Sequence, residues 1–244
     1  AENFLYMMQG PRSYSDLDVK ILDLALILHA EHGGGNNSTF TVRVTSSSET
    51  DTYSSIAAGI GSLKGPLHGG ANLQVVDMLE HLKEAISDWT DAAELDAYLQ
   101  KMLNKEVYNK TGKIYGIGHA IYTISDPRAL LLKEMARKLA EEKGLQKEFA
   151  FLELIENRAI ETFMNFKGER INKQVCVNVD FYSGFVYDAI GLPREVYTPL
   201  FAMSRIAGWT AHRIEELNFA SKRIIRPAYK NVGGKKEFIP IQKR

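Results

Sequence analysis

The stretch Gly65-Pro66-Leu67-His68-Gly69-Gly70-Ala71-Asn72 sets one histidine between helix-breaking residues and a new helical run. An imidazole there can face a ligand and exchange a hydrogen bond or a proton near neutral pH. Glycine at 69 and 70 removes the side chains that would keep a substrate oxygen away. On its own the stretch is also a plain Gly-Pro turn with a histidine beside a helix start, so partners elsewhere must decide its role. A second histidine follows a glycine turn in Lys113-Ile114-Tyr115-Gly116-Ile117-Gly118-His119. The Gly-x-Gly there suggests a dinucleotide loop, but no βαβ unit surrounds it and His119 stands where such a loop would continue.

Asp180 lies in the largely apolar run Val175-Cys176-Val177-Asn178-Val179-Asp180-Phe181-Tyr182-Ser183-Gly184. Loss of water around its carboxylate would raise its proton affinity and suit a general base working near neutrality. Capping of the helix that follows is the competing role. Arg128 falls in the first turn of a helix opened by Asp126-Pro127, where it either serves a site or pairs with a nearby acid. His29, Glu31 and His32 crowd a helix end before three glycines. Two histidines three apart with one glutamate are too few for a metal site, and neither a cysteine cluster nor an HExxH pattern appears. A neutral or anion-binding role for one of them fits better.

The elements that must position these groups read as helix almost throughout. Ser13 and Ser15 offer caps for an amphipathic run, Leu17, Ile21, Leu24, Ala25 and Leu28, that extends to about His29. Two shorter helices are expected over 38–47 and 51–61, the second with Ala57, Ala58 and Gly59 permitting close packing. Further helices are expected over 71–86, 91–105, from Pro127 to about Lys143, over 147–166, over 181–190 and from about Pro199 to Glu216. The last carries Arg205 after Phe201 and Met203, and Arg226 lies between Ile225 and Pro227 ahead of a lysine-rich tail.

Lys plus Arg and Asp plus Glu both number 30, so no general electrostatic attraction to nucleic acid or anionic membrane exists, and any bound anion must be held locally. The longest apolar runs are far shorter than the ~20 residues that cross a bilayer. A single cysteine, Cys176, rules out an internal disulfide and fits a reducing compartment, with the cytoplasm as the expectation. The chain opens Ala1-Glu2-Asn3-Phe4-Leu5, without methionine or a secretory signal, which suggests a fragment or a processed product.

Taken together, these positions resemble the citrate synthase family. The resemblance rests on GPLHGGAN around His68, GIGHAIYTISDPRA around His119 and NVDFYSG around Asp180, with LILHAEHGGGNNSTF around His32, MSR at Arg205 and IIRP at Arg226 in support. It runs in family order across nearly the whole chain and implies an all-α, two-lobed citrate synthase-like helical fold, represented here without its N-terminal part. Residues 67–190 would form a small lobe bearing the acyl-CoA site, 1–66 part of a large lobe, and 191–244 the remainder of the large lobe with a C-terminal tail.

The activity so implied is condensation of acetyl-CoA with oxaloacetate and water to give citrate and CoA. Asp180 would act as base, His68 as donor to the enol oxygen and His119 as donor to the oxaloacetate carbonyl. His32, Arg128 and Arg205 would bind oxaloacetate, with Arg226 reaching in from the other subunit of a homodimer. A charge-assisted bond of this kind is worth about 1.5–3 kcal/mol. Lys113, Ile117, Gly118 and Lys173 would hold the acyl-CoA co-substrate, with no tightly bound cofactor and no metal.

Two departures from the family pattern stand out: Thr123 where a basic residue near the coenzyme A phosphates is common, and Val177 where proline is common. His29, His81 and His212 are read as structural. The same residues would serve 2-methylcitrate synthase with propionyl-CoA. A non-catalytic fragment acting as scaffold or acyl-CoA binder is the reading from another class.

Overall fold

A computed structural model describes residues 1–118, 122, 124–167 and 174–243. His119, Thr123 and Lys173 therefore lie outside the described residues. The described residues form an all-α fold: α1 (Glu2–Gln9), α2 (Asp16–His29), α3 (Asn37–Ser46), α4 (Thr52–Leu63), α5 (Ala71–Ala85), α6 (Ala92–Leu103), α7 (Pro127–Lys143), α8 (Gln146–Lys167), α9 (Asp180–Ile190) and α10 (Tyr197–Asn218). No described helix is long and apolar enough to cross a membrane.

The start of α2 shows why the local sequence suffices for an element. The Ser15 hydroxyl accepts from Asp18 N–H at 3.2 Å and the Asp18 carboxylate accepts from Ser15 N–H at 2.8 Å, a reciprocal cap. Lys143 at the end of α7 reaches the same carboxylate at 2.7 Å and ties the two helices together. Asp126 caps α7 with Pro127 in its first turn. Gly191, at φ 81°, ends α9 in the left-handed conformation that glycine adopts without strain. The final long helix starts at Tyr197, two residues before Pro199, because proline in a first turn gives up only an N–H that has no helical partner there.

Among the described residues two apolar clusters carry the packing. The larger gathers Leu5, Ile21, Leu22 and Ala25 from α1 and α2 with the inward faces of α5–α9, and extends to Tyr197 and Leu200 at the start of α10. The smaller joins Val42 of α3, Leu63 of α4 and Trp209 of α10. A Cβ at Gly59 would sit 2.6 Å from Val42 Cγ2 and 3.3 Å from the Trp209 ring, so this glycine sets how closely α4 approaches α3 and α10. Arg213, almost fully buried, pins the same region: its guanidinium donates to Ser46 Oγ at 3.0 Å, Ser55 Oγ at 2.9 Å and Thr50 O at 2.6 Å.

Candidate active site

His68 enters the site through the turn between α4 and α5. Gly69 N–H donates to the Leu63 carbonyl at 2.8 Å, and a Cβ at Gly69 would overlap that same oxygen. One at Gly70 would meet Pro66 Cα at 2.9 Å. The chain's own backbone thus leaves no room for a Cβ at either position. With the turn closed, the His68 ring stands edge-on to Phe201 at 6.2 Å. Its Nε2 lies 2.9 Å from Ser38 Oγ and 3.3 Å from Ser38 N, and the backbone N–H can only donate. Nε2 is therefore an acceptor and the proton of the neutral ring sits on Nδ1. Desolvation, with Arg205 nearby, holds the His68 pKa below the usual histidine value.

Asp180 is the first residue of α9, with Val179 in the cap position, so it does not cap the helix as its alternative role required. Its N–H donates to Asn178 Oδ1 at 3.1 Å. The run before it is fixed by pairing with the 116–118 segment. Gly118 N–H donates to Cys176 O at 2.8 Å, Asn178 N–H to Gly116 O at 2.9 Å and Asn178 Nδ2 to Gly118 O at 3.1 Å, with Ile117 and Val177 bridged antiparallel. Gly116, at φ 79°, lies so close to the Phe181 ring that a Cβ would be 2.8 Å from it. Desolvation pushes the Asp180 carboxyl up to about 6; Asp126 adds to the push, while Arg128 and Arg205 oppose it.

Both arginines are held by specific partners. Arg128 folds back on its own helix cap, with Nε 3.1 Å and Nη2 2.8 Å from the two oxygens of the fully buried Asp126 side chain. Arg205 is buried, with Nε donating to His29 O at 2.6 Å and Nη1 to Asn36 Oδ1 at 3.2 Å, and the guanidinium lies 4.7 Å over the Phe201 ring. Desolvation brings its pKa down to about 10. Its hydrogen-bond acceptors are neutral, so an anion would be a favourable addition beside it.

These groups share a cavity of about 240 Å³. His32, His68, Arg128, Asp180 and Arg205 all line it. Lys113, Ile117, Gly118 and Arg226 are not among its lining residues. Lys113 is exposed, and Arg226 is exposed on the extended tail beyond α10. His29 lines the cavity, although its sequence context suggested a structural residue. Its Nδ1 bonds Ala25 O at 2.8 Å, and burial drives its pKa down to about 4. Asn36, Asn72, Tyr187 and Tyr197 also line the cavity, although no role is expected of them from the sequence; Asn36 and Asn72 lie inside the quoted motifs, whereas tyrosines on apolar helix faces look alike in sequence whether or not they meet a cavity. Glu31 pairs with His212 at 2.9 Å. His81 bonds Tyr98 Oη at 2.6 Å.

Residues 1–228 match the family model described as citrate synthase, C-terminal domain. The chain is 43% identical over its whole length to a citrate synthase of Acidithiobacillus ferridurans, covering 58% of that protein. It is 37% identical over 99% of its length to a 2-methylcitrate synthase of Shewanella oneidensis, again covering 58% of it. Among solved structures, the citrate synthase of Thermoplasma acidophilum in ternary complex with carboxymethyl coenzyme A and oxaloacetate aligns with TM-score 0.78 and 31% identity, over 100% of this chain and 59% of that one. The chain thus spans a little under three fifths of the length of the relatives it matches, and on the family-model match and these identities it belongs to the citrate synthase family.

Proposed function

We propose that the chain carries catalytic groups of a citrate synthase, an acyltransferase that condenses acetyl-CoA with oxaloacetate and water to give citrate and CoA. The observation that carries this reading is the meeting of a neutral histidine donor, a carboxyl with raised proton affinity and two arginines on one cavity of about 240 Å³. Asp180 takes a methyl proton of the thioester, and the electron pair moves onto the carbonyl oxygen, which His68 stabilises from Nδ1–H. The enol carbon then attacks the oxaloacetate ketone, whose oxygen receives a hydrogen bond from His119. Water finally cleaves the thioester of citryl-CoA. Preorganised donors aimed at developing oxygen charge are worth about 10²–10³ in rate each.

Arg128 and Arg205 bind the two carboxylates of oxaloacetate, with His32 beside them, and Arg226 from the second subunit of a homodimer completes the set. Lys113, Ile117, Gly118 and Lys173 hold the acyl-CoA, which acts as co-substrate in the absence of a tightly bound cofactor. Residues 67–190 form a small lobe that closes on the flanking segments and excludes water from the site. The protein works in the cytoplasm.

The relative named 2-methylcitrate synthase supports a second reading, with propionyl-CoA as the acyl donor. One methylene separates the two substrates, which a pocket discriminates by only about 1–3 kcal/mol. The test is thiol release measured with and without oxaloacetate, using acetyl-CoA and propionyl-CoA, on the whole protein and on this chain alone. Oxaloacetate-dependent release from acetyl-CoA, lost in D180N, is the expected result. Release that does not depend on oxaloacetate, or that survives D180N, refutes the assignment. A larger kcat/KM with propionyl-CoA selects the second reading. Release by the whole protein but not by the 244-residue chain makes the chain an incomplete, non-catalytic piece.

A further inference from the structure

The first turns of α5 and α9 are joined by a polar contact that the proposed chemistry does not use. Asn72, four residues after His68, donates from Nδ2 to the Ser183 hydroxyl, three residues after Asp180. Ser183 Oγ in turn lies 3.4 Å from the Asp180 carbonyl oxygen. Ser183 is fully buried and Asn72 is 8% exposed. One helical turn further along α5, Val76 packs where a Cβ at Gly184 would overlap it, so α5 and α9 are already in close apolar contact beside this bond. The remaining amide oxygen, Asn72 Oδ1, is buried and has no hydrogen-bond partner among the described residues. A buried unpaired polar atom is a net cost to folding, and a small apolar side chain at position 72 would avoid it.

We propose that Asn72 is a positioning residue, whose bond to Ser183 fixes the start of α5 against the start of α9 and so sets His68 and Asp180 in register across the cavity. The proposal rests on the functional reading above, in which both residues act on the same acyl group. Small displacements of reacting groups have large kinetic effects, a misplacement of about 1 Å costing on the order of 10²-fold in rate. The latch acts on the relation between two helices and leaves Arg128 on α7 and Arg205 on α10 where they are.

The test is steady-state thiol release by the whole protein and its N72A, S183A and N72A/S183A variants, with thermal melting of each. The expected result is a loss in kcat of about tenfold in each single variant, partway to the cost of a full misplacement. The double variant loses no more than either single, KM for oxaloacetate is unchanged, and the N72A melting temperature is equal to or above that of the wild type. Wild-type kcat in N72A, losses that multiply in the double variant, or a kcat loss that tracks a fall in melting temperature would each overturn the latch while leaving the functional reading standing. A wild-type protein with no oxaloacetate-dependent release overturns the functional reading, and this proposal falls with it.

Discussion

Ser38 and His68, thirty residues apart in the chain, meet so that the backbone N–H of the first faces Nε2 of the second at 3.3 Å. The Ser38 hydroxyl accepts from the Trp209 indole at 3.3 Å, which anchors it to the small apolar cluster of α3, α4 and α10. The tautomer of His68 is therefore fixed by an element remote from its own turn. A ring nitrogen that faces an obligatory donor cannot also carry a proton without losing that bond, and desolvation works in the same direction.

The first prediction is spectroscopic. Ring ¹⁵N spectra should show His68 protonated at Nδ1 and bare at Nε2 at neutral pH, with charging only at a pH below the ordinary histidine midpoint of 6.5. A protonated Nε2, or a midpoint above 6.5, would contradict the assignment of Ser38 as donor.

What the sequence discloses of this fold and what it hides divide along a physical line. Ser15 with Asp18, and Asp126 with Pro127, announce helix starts because the atoms that satisfy those helix ends lie within three residues of one another. The all-α character follows from the same local rules. The Ser38–His68 and Asn72–Ser183 bonds, by contrast, depend on which helices pack together, and nothing in either local sequence encodes the partner. His29 illustrates the limit. Its position at a helix end beside Glu31 gives no sign that its carbonyl holds Arg205 or that its ring borders the cavity. Gly69 is the opposite case: the need for glycine is legible in the sequence, while the Leu63 carbonyl that crowds it is not.

The second prediction concerns Asp180 and pH. Its carboxyl titrates near 6 in the folded protein against an ordinary value of 3.8. Between those values the folded state keeps a proton that the unfolded chain has released, so this group's contribution favours folding at low pH and weakens as pH rises through about 6. D180N should accordingly melt higher than the wild type at pH 7.5, by the equivalent of about 2–3 kcal/mol, with the gap closing below pH 4. Turnover by the wild type should fall as pH drops through about 6, because the base must be ionised to take a proton. Equal melting of the two proteins at pH 7.5 would show that desolvation of Asp180 is not the dominant influence.

The third prediction tests the contact between α5 and α9 directly. A methyl group at Gly184 would overlap Val76 Cγ2, and Val76 is only 2% exposed, so its β-branched side chain has no room to turn away. Alanine is the better helix former by about 0.8–1.0 kcal/mol, and on propensity alone G184A should stabilise α9. Overpacking of a filled core costs about 1–3 kcal/mol, which should outweigh that gain and leave G184A less stable in denaturant unfolding. V76A placed in the same chain removes the overlapped methyl and should return part of the loss, whereas V76A alone destabilises by opening a void. A G184A protein as stable as the wild type would mean that α9 can move off α5 at little cost. Because Ser183 is the neighbouring residue and bonds Asn72, such freedom would also let Asp180 drift relative to His68, so catalytic register and helix packing stand or fall at the same contact.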